Sequence, residues 1–302
     1  MICYTKTKKM KELSVVIPVY KGAKTISRLV ESLQYELGDY DFEIVLVNDA
    51  SPDTSEKICK ELAAIHKNIN FISLRKNFGE FNAVMCGLNN VTGKYTVIID
   101  DDFQNPPSEI VKLLDKAKSE DFDVVYSFYI EKKHHFFRNV GSWLVNRLTT
   151  SLLNKPSDLY LSSFKLIKNE VIDEIVKYKG PYPYIDALIF RVTNNIGKTE
   201  VQHNERLEGQ SNYTLKKLIV LFMTILFGYS LLPIRIILSL GVLLVTLSIL
   251  LILLYVFKII PDWGLPMFVF FGGVQLTSLG IIGEYISKSF LSQNGTPQYI
   301  EK

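Results

Sequence analysis

The chain has 302 residues, of which 34 are basic and 31 acidic, and this composition excludes intrinsic disorder, a collagen-like fibre and a small disulfide-rich scaffold. The net charge of +3 is too small to indicate a nucleic-acid-binding protein. Cys3, Cys59 and Cys86 are odd in number and lack metal-ligand spacing, which favours a reducing compartment without disulfides. Only seven charged side chains lie in the last 85 residues, so a charged globular part precedes an apolar part.

The first 130 residues alternate between strand-like and helix-like patterns. Asp53 and Glu56 are spaced as a capping box at the start of one of the helices. Strands separated by helices predict an α/β fold with a mostly parallel sheet, whose ligand crevice lies at the carboxyl ends of the strands. The predicted strands are Leu13–Val19, Phe42–Val47, Phe71–Leu74, Tyr95–Ile99 and Val124–Phe128, and the helical patterns cover Ile26–Leu37, Ile58–Ile65, Glu80–Leu88 and the segment after Pro106-Pro107.

Acidic residues follow two of these strands. Asp49 comes after the second strand, where a single aspartate is most often a turn former or a helix cap. Asp100–Asp102 come after the fourth strand, and three consecutive carboxylates repel one another when they are partly buried. A divalent cation would relieve that repulsion, and oxygen ligands suit Mg²⁺ or Mn²⁺, with Gln104 facing the same ion. A solvated acidic loop is the alternative.

The apolar C-terminal part predicts a membrane hairpin. Ile236–Phe257 and Trp263–Gly283 carry no charge, and each is long enough as a helix to cross about 30 Å of hydrocarbon. Two buried core helices are the alternative, although such helices seldom run so long without a polar face. Two crossings leave both ends on one side, and the positive-inside tendency makes that side the cytoplasm. Its basic flanks are Lys216, Lys217, Arg235 and Lys288, against Lys258 alone in the loop.

This pattern predicts a multi-pass protein of the inner (cytoplasmic) membrane in three parts. A cytoplasmic catalytic domain covers 1–215, a helix lying in the membrane interface covers 216–235, and two transmembrane helices with a cytoplasmic tail cover 236–302. A third crossing at 218–233 is the alternative to the interfacial helix. Gly272, Gly273 and Gly280 permit close helix contacts, and therefore a homo-oligomer formed through the membrane helices.

A series of short motifs runs through nearly the whole chain. Their order and spacing resemble the family 2 glycosyltransferases, and within them the polyprenyl-phosphate group that includes the dolichol-phosphate mannose synthases. The motifs are Ser14–Tyr20, Val47–Asp53, Asn77–Gly79, Asp100–Pro107, Glu205–Tyr213, Leu231–Arg235, Gly283–Tyr285 and Pro297.

The resemblance implies a GT-A-type nucleotide-sugar domain with a C-terminal two-helix transmembrane hairpin. It implies transfer of a sugar from a nucleotide-diphosphate sugar to polyprenyl phosphate, such as undecaprenyl phosphate, at the cytoplasmic membrane face. It further implies inversion of the anomeric centre, dependence on Mg²⁺ or Mn²⁺, and a place in cell-surface glycan modification or assembly. UDP-, GDP- and dTDP-linked donors all remain open.

The resemblance also assigns roles to the donor-side residues. Asp100 and Asp102 correspond to the two acids of the Asp-x-Asp motif, with Gln104 joining them on the metal, and Asp102 also counts as catalytic. Asp101 fills the variable middle position and is not expected to be a metal ligand. The donor-binding residues implied are Pro18, Tyr20, Asp49, Asp100 and Asp101.

On the acceptor side, Asp158 matches the catalytic acid that serves the acceptor. Lys165 stands where the family carries an arginine for the acceptor phosphate, and it keeps the charge but loses the bidentate fork. Arg138, Arg206 and Ser211 are the remaining acceptor-phosphate candidates.

Three other functions remain as alternatives. A processive polysaccharide synthase shares the donor site but usually carries more membrane spans and a Gln-x-x-Arg-Trp motif, which is absent from the sequence. A glycosyltransferase that acts on another lipid-linked glycan acceptor is a second alternative. A non-catalytic membrane anchor is the third, but it would not need Asp100 and Asp102 behind a strand.

Overall fold

A seven-stranded sheet organises the first of two units into which the chain divides, Met1–Asn212 with Thr296–Lys302. The computed structural model describes residues 10–129, 150, 155–156, 158–202, 204, 223, 239, 243 and 264–302. The strand order is β3-β2-β1-β4-β6-β5-β7, in which β6 runs antiparallel to both neighbours and the other pairs are parallel. The strands are β1 Lys11–Val19, β2 Phe42–Asn48, β3 Ile69–Ser73, β4 Gly93–Ile98, β5 Val124–Phe128, β6 Lys165–Lys168 and β7 Ile196–Glu200.

Helices connect the strands of this sheet, as the alternating sequence pattern predicts. The predicted α/β fold with a mostly parallel sheet is confirmed, and the five predicted strands match β1 to β5 to within two residues at each end. The pattern did not predict β6 and β7 or the two helices between them. The helices of the first unit are α1 Ile26–Glu36, α2 Ser55–Ile65, α3 Glu80–Leu88, α4 Glu109–Glu120, α5 Asn169–Ile175 and α6 Ile185–Val192.

The core lies on both faces of β1, which is why that strand reads as a continuous apolar run. Val15 and Ile17 are fully buried in the cluster that also contains the apolar faces of α1 and α4. Val16 points the other way, towards α3, where a β-carbon added to Gly87 would lie 2.3 Å from Val16 Cγ1. The glycine therefore lets α3 approach the sheet closely.

Two contacts stabilise the start of α2, one between residues close in sequence and one between residues far apart in sequence. Asp53 Oδ1 accepts hydrogen bonds from the Ser55 amide (3.1 Å) and the Ser55 hydroxyl (2.6 Å). Glu56, the other residue of the predicted capping box, pairs with Lys302 at the far end of the chain. The helix start is therefore stabilised partly by the C-terminus.

A buried carboxylate joins three strands at the end of the sheet where they begin. Glu43 is 5% exposed and accepts hydrogen bonds from the Ser14 hydroxyl (2.8 Å), the Thr92 amide (2.6 Å) and the Thr92 hydroxyl (2.8 Å). The Gly93 amide donates to Ser14 Oγ at 2.9 Å. These bonds connect the beginnings of β1 and β2 to the start of β4.

The second unit, Tyr213–Gly295, contains the long helix α7, Gly264–Gln293. The predicted first crossing, Ile236–Phe257, and the predicted interfacial helix at 216–235 lie almost wholly outside the described residues, and the second crossing lies within α7 apart from Trp263. Among the residues that the structure describes, no helix combines the length and the apolar character needed to cross a membrane. The hairpin therefore stays a prediction.

We expect Glu43→Ala to lower the free energy of unfolding by about 2–3 kcal/mol, because it leaves the buried Ser14 hydroxyl and the half-buried Thr92 amide without their acceptor. Thermal unfolding of purified protein measures the change. Glu31→Ala, at an exposed position of α1, is the matched control and should change the midpoint little. Equal midpoints for the two variants would contradict a structural role for the Glu43 network.

Candidate active site

Three adjacent parallel strands bring the predicted donor-side residues together. The carboxyl ends of β1, β2 and β4 meet at one edge of the sheet. Tyr20 follows β1, Asp49 follows β2, and Asp100–Asp102 begin two residues after β4 ends. The Asp49 amide donates a hydrogen bond to the Val19 carbonyl at 3.0 Å. Pro18 is buried in β1, whereas Tyr20 is 41% exposed at the edge.

Asp49 holds the loop between β3 and α3. Its side chain is buried, Oδ1 accepts the Phe78 amide hydrogen at 2.7 Å, and Oδ2 accepts the Gly79 amide hydrogen at 2.9 Å. Gly79 has φ +93°, which glycine adopts without the strain that a side chain would cause. Burial raises the pKa of Asp49, and the two backbone hydrogen bonds oppose that rise. Asp49 thus fixes residues 77–79, a segment that we call the donor loop for the role proposed for it under Proposed function.

Asp101 is turned into the loop after β1. Its Oδ2 accepts the Tyr20 amide hydrogen at 3.3 Å, and a β-carbon added to Gly22 would lie 2.2 Å from that same oxygen. Only a glycine at position 22 leaves room for the carboxylate. Burial, and next the charge of Asp100, raise the pKa of Asp101 to about 7. The Asp101 carboxylate therefore faces the loop after β1, and its exclusion from the metal ligands stays a prediction.

Asp100 and Asp102 are each held by a neighbouring donor. The Ser163 hydroxyl donates a hydrogen bond to Asp100 Oδ2 at 2.7 Å. The backbone amide of Gln104 donates a hydrogen bond to Asp102 Oδ1 at 3.1 Å. Phe103, between Asp102 and Gln104, has φ +63°, an unfavourable conformation for a bulky residue. Its ring packs against the core and lies 5.6 Å from the Arg28 guanidinium. The core therefore holds the strained turn that presents the two carboxylates predicted to bind a metal ion.

Glu80 is a fifth acid at this edge, and the helical sequence pattern predicted it only as the start of a helix. It is the first residue of α3, directly after the donor loop. Although the residue as a whole is exposed, desolvation of its carboxyl and the charge of Asp100 raise its pKa to about 7, while Lys165 opposes the rise. The sequence feature that could have indicated Glu80 as a site residue is its position immediately after the Asn77–Gly79 motif.

Lys165 is buried and paired inside the fold. Its ammonium forms an ion pair with Asp186, which also accepts the Tyr126 hydroxyl hydrogen at 2.8 Å. The Tyr126 ring centre lies 4.9 Å from Lys165 Nζ. Both charged side chains are less than a tenth exposed. In this arrangement the predicted acceptor-phosphate cation already has an internal partner, and no sequence motif indicated Asp186.

Asp158 lies apart from the carboxylates after β4. Its side chain is 68% exposed and pairs with Lys198 on β7, a strand separated from β4 by β6 and β5. The hydrogen bond from Lys198 holds the pKa of Asp158 below its ordinary value. The other acceptor-side candidates, Arg138, Arg206 and Ser211, lie outside the described residues.

The carboxylates after β4 suit a cation that a substrate helps to bind. Within the described residues, no set of three or more His, Cys, Asp or Glu side chains is arranged to hold a metal ion. Mg²⁺ commonly takes one or two carboxylates from a protein and its other ligands from water and substrate phosphates. Asp100 and Asp102, with the oxygen of Gln104, supply a donor set of that kind.

Comparison with known sequences finds a matching family model, and relatives that match nearly the full length of the chain. Residues 14–176 match the family model described as glycosyl transferase family 2. An undecaprenyl-phosphate 4-deoxy-4-formamido-L-arabinose transferase of Enterobacter sp. (strain 638) is 31% identical, over 98% of this chain and 94% of the relative. The transferase of the same name from Proteus mirabilis (strain HI4320) is 29% identical, over 96% of this chain and 93% of the relative.

Comparison with solved structures supports the fold. Glucosyl-3-phosphoglycerate synthase from Mycobacterium tuberculosis, in complex with Mn²⁺, UDP and glucosyl-3-phosphoglycerate, aligns with a TM-score of 0.53. The alignment covers 72% of this chain and 78% of that chain, at 20% identity. Another crystal structure of the same synthase aligns with a TM-score of 0.52 at 19% identity, over 72% of this chain and 78% of that chain.

The raised pKa of Asp101 predicts a specific pH dependence of stability. The folded-state value, about 7, exceeds the ordinary value of 3.8, so the folded chain holds this proton more tightly than the unfolded chain. The resulting stability is fully present below about pH 4 and is lost as the pH rises to about 7. Asp101→Asn cannot titrate, so it should lose less stability than the wild type between pH 5 and pH 8.

Thermal unfolding in excess chelator at both pH values measures this difference. Asp115→Asn, at an exposed position on α4, is the control and should behave as the wild type does. If Asp101→Asn and the wild type lose the same stability over this interval, the Asp101 carboxyl is not protonated in the folded chain at pH 5.

Proposed function

Because the chain belongs to glycosyl transferase family 2, we propose that it transfers a sugar from a nucleotide-diphosphate sugar to polyprenyl phosphate. The observation that carries the proposal is the convergence of Asp49 and Asp100–Asp102 at one edge of the sheet. The relatives whose names specify undecaprenyl phosphate match nearly the full length of the chain, which favours that acceptor.

The donor nucleotide lies, in this proposal, against the donor loop. Asp49 fixes the loop through two backbone hydrogen bonds, so the loop has a defined shape before the donor binds. Pro18 and Tyr20 form the β1 side of the same cleft. Asp101, which accepts the Tyr20 amide hydrogen, holds that side in place.

Asp100, Asp102 and Gln104 would hold Mg²⁺ or Mn²⁺ beside the donor diphosphate. When bound, the ion supplies Lewis-acid stabilisation of the negative charge that develops on the leaving nucleoside diphosphate. The Ser163 hydroxyl and the backbone amide of Gln104 orient the two carboxylates towards the ion. A single displacement by the acceptor phosphate inverts the anomeric centre.

The acceptor phosphate is anionic at neutral pH, so it needs cationic partners more than a strong base. We assign this contact to Arg138, Arg206 and Ser211, because Lys165 is engaged by Asp186. Lys165 then contributes its buried positive charge near Glu80 and the acids after β4. Asp158 acts on the acceptor side, and the uncharged C-terminal runs 236–257 and 263–283 hold the enzyme at the cytoplasmic membrane face.

Asp102→Asn should lower sugar transfer to undecaprenyl phosphate by about 100-fold or more, because metal-assisted stabilisation of the leaving group is worth several kcal/mol. The assay uses purified full-length protein in detergent, radiolabelled UDP-, GDP- and dTDP-sugars, and analysis of the lipid product. Excess chelator should abolish transfer, and Mn²⁺ or Mg²⁺ should restore it. Asp115→Asn is the charge-matched control.

Two results would contradict parts of this proposal. Full turnover by Asp102→Asn, or in excess chelator, contradicts the metal-binding role. A polymeric product in place of one sugar per lipid identifies a processive polysaccharide synthase instead.

Asp158→Asn should lower kcat/KM for the lipid acceptor by about 100-fold, a typical contribution of one proton-transfer or positioning carboxylate. The KM for the donor should stay unchanged, because Asp158 pairs with Lys198 on β7 and lies away from the donor cleft. Steady-state kinetics with each substrate varied in turn measure both values. A rise in the donor KM with an unchanged acceptor kcat/KM would move Asp158 to the donor side.

A further inference from the structure

The last seven residues of the chain, 296–302, form a segment that we call the C-terminal tail. It lies beside the C-terminal end of β3, at one lateral edge of the sheet. Leu74 and Glu301 form an antiparallel bridge. The Arg75 amide donates to the Ile300 carbonyl at 2.9 Å, and the Lys302 amide donates to the Ser73 carbonyl at 2.8 Å. Because β3 is an edge strand of the sheet, the tail covers backbone groups that an edge otherwise exposes.

A buried amide side chain attaches the tail to a second segment. Gln298 is 7% exposed, and its Nε2 donates to the carbonyls of Tyr178 and Gly180, both at 2.8 Å. A buried amide is costly unless it is hydrogen-bonded, so this pair of bonds specifies where the tail binds. Covering the edge of β3 requires only backbone bonds, so the Gln298 contact indicates an additional role.

Both attachment points lead to the start of α3. Ser73–Arg75 precede the donor loop by one residue, and Asp49 holds the loop itself. The segment after Gly180 leads to Tyr184, whose ring packs edge-on against Phe81 at 5.3 Å between centres. Phe81 is the second residue of α3, directly after Glu80. The tail therefore holds both segments that flank the N-terminus of α3.

Further contacts reinforce this position. Arg75 Nε donates to the Glu301 carbonyl at 3.1 Å, and Lys302 pairs with Glu56 on α2. The thiol of Cys86, inside α3, lies 3.6 Å from Glu301 Oε1. The tail thus contacts α2 and α3 in addition to β3.

We propose that the C-terminal tail is a positioning element for nucleotide-sugar binding, which holds the donor loop and the segment before α6 in their binding arrangement. The proposal rests on the proposed function, because it assigns the donor nucleotide to this loop. When the tail is removed, the loop samples other conformations, and the apparent Kd for the nucleotide rises by the inverse of the fraction that stays competent.

Nucleotide affinity and amide hydrogen exchange test this proposal together. UDP, GDP and dTDP are titrated calorimetrically in MnCl₂ against the full-length wild type, and the tightest of them serves as the probe. Gln298→Ala should raise its Kd several-fold, and removal of residues 296–302 should raise it about tenfold, if about a tenth of the loop stays competent. Gln293→Ala, whose amide donates to Ser289 Oγ in α7, is the matched control and should keep the wild-type Kd.

If the tail has a positioning role, two further results are expected. Hydrogen exchange should accelerate at residues 75–79 and 178–184 in both tail variants, while β5 stays as protected as in the wild type. A synthetic peptide of residues 296–302, added to the truncated protein, should restore both the affinity and the protection. Failure of the truncated protein to fold leaves Gln298→Ala as the deciding variant.

An unchanged nucleotide Kd in Gln298→Ala, with faster exchange at 75–79, overturns the proposal and leaves the tail as a cover for the edge strand. Unchanged exchange at those residues overturns it as well. Absence of nucleotide binding to the wild type contradicts the proposed function itself, and the exchange measurement then still decides whether the tail orders the loop.

Discussion

Mutual repulsion among carboxylates at one edge of the sheet is the constraint on which the rest of the site depends. Parallel strands end together, so the fold itself places Asp49 near Asp100–Asp102, with Glu80 close by. Desolvation and neighbouring charge raise the pKa of Asp101 and of Glu80 to about 7. The fold tolerates this crowding because hydroxyl, amide and ammonium groups surround it.

The same sheet carries another buried carboxylate with a different purpose. Glu43, where the strands begin, accepts three hydrogen bonds and joins β1, β2 and β4. At the opposite end, Asp100 and Asp102 each receive a neighbouring donor and sit beside other acids. One end therefore supplies stability and the other accumulates negative charge, which is the condition that favours a bound cation.

Local sequence patterns predicted the parts of the fold that depend on local physics. Period-two and helical spacing located β1 to β5 and the helices between them, and acids placed after strands indicated the edge of the sheet at which Asp49 and Asp100–Asp102 meet. Ion pairs between residues that are distant in the sequence left no such pattern. The resemblance implies a phosphate-binding role for Lys165, and no motif indicated its ion pair with Asp186. The spacing of Asp53 and Glu56 predicts a local capping box, whereas Glu56 pairs with Lys302 at the far end of the chain. The four-residue strand β6, with a lysine at each end, was too short to show a period.

Crystallographic analysis with Mn²⁺ and the donor nucleoside diphosphate tests the central claim most directly, because anomalous scattering locates the ion independently of activity. The account predicts one Mn²⁺ site per chain, bonded to carboxylate oxygens of Asp100 or Asp102 and to the diphosphate, with the base against residues 77–79. A bound nucleotide with no anomalous peak beside these carboxylates, or with the ion on other residues, would contradict it.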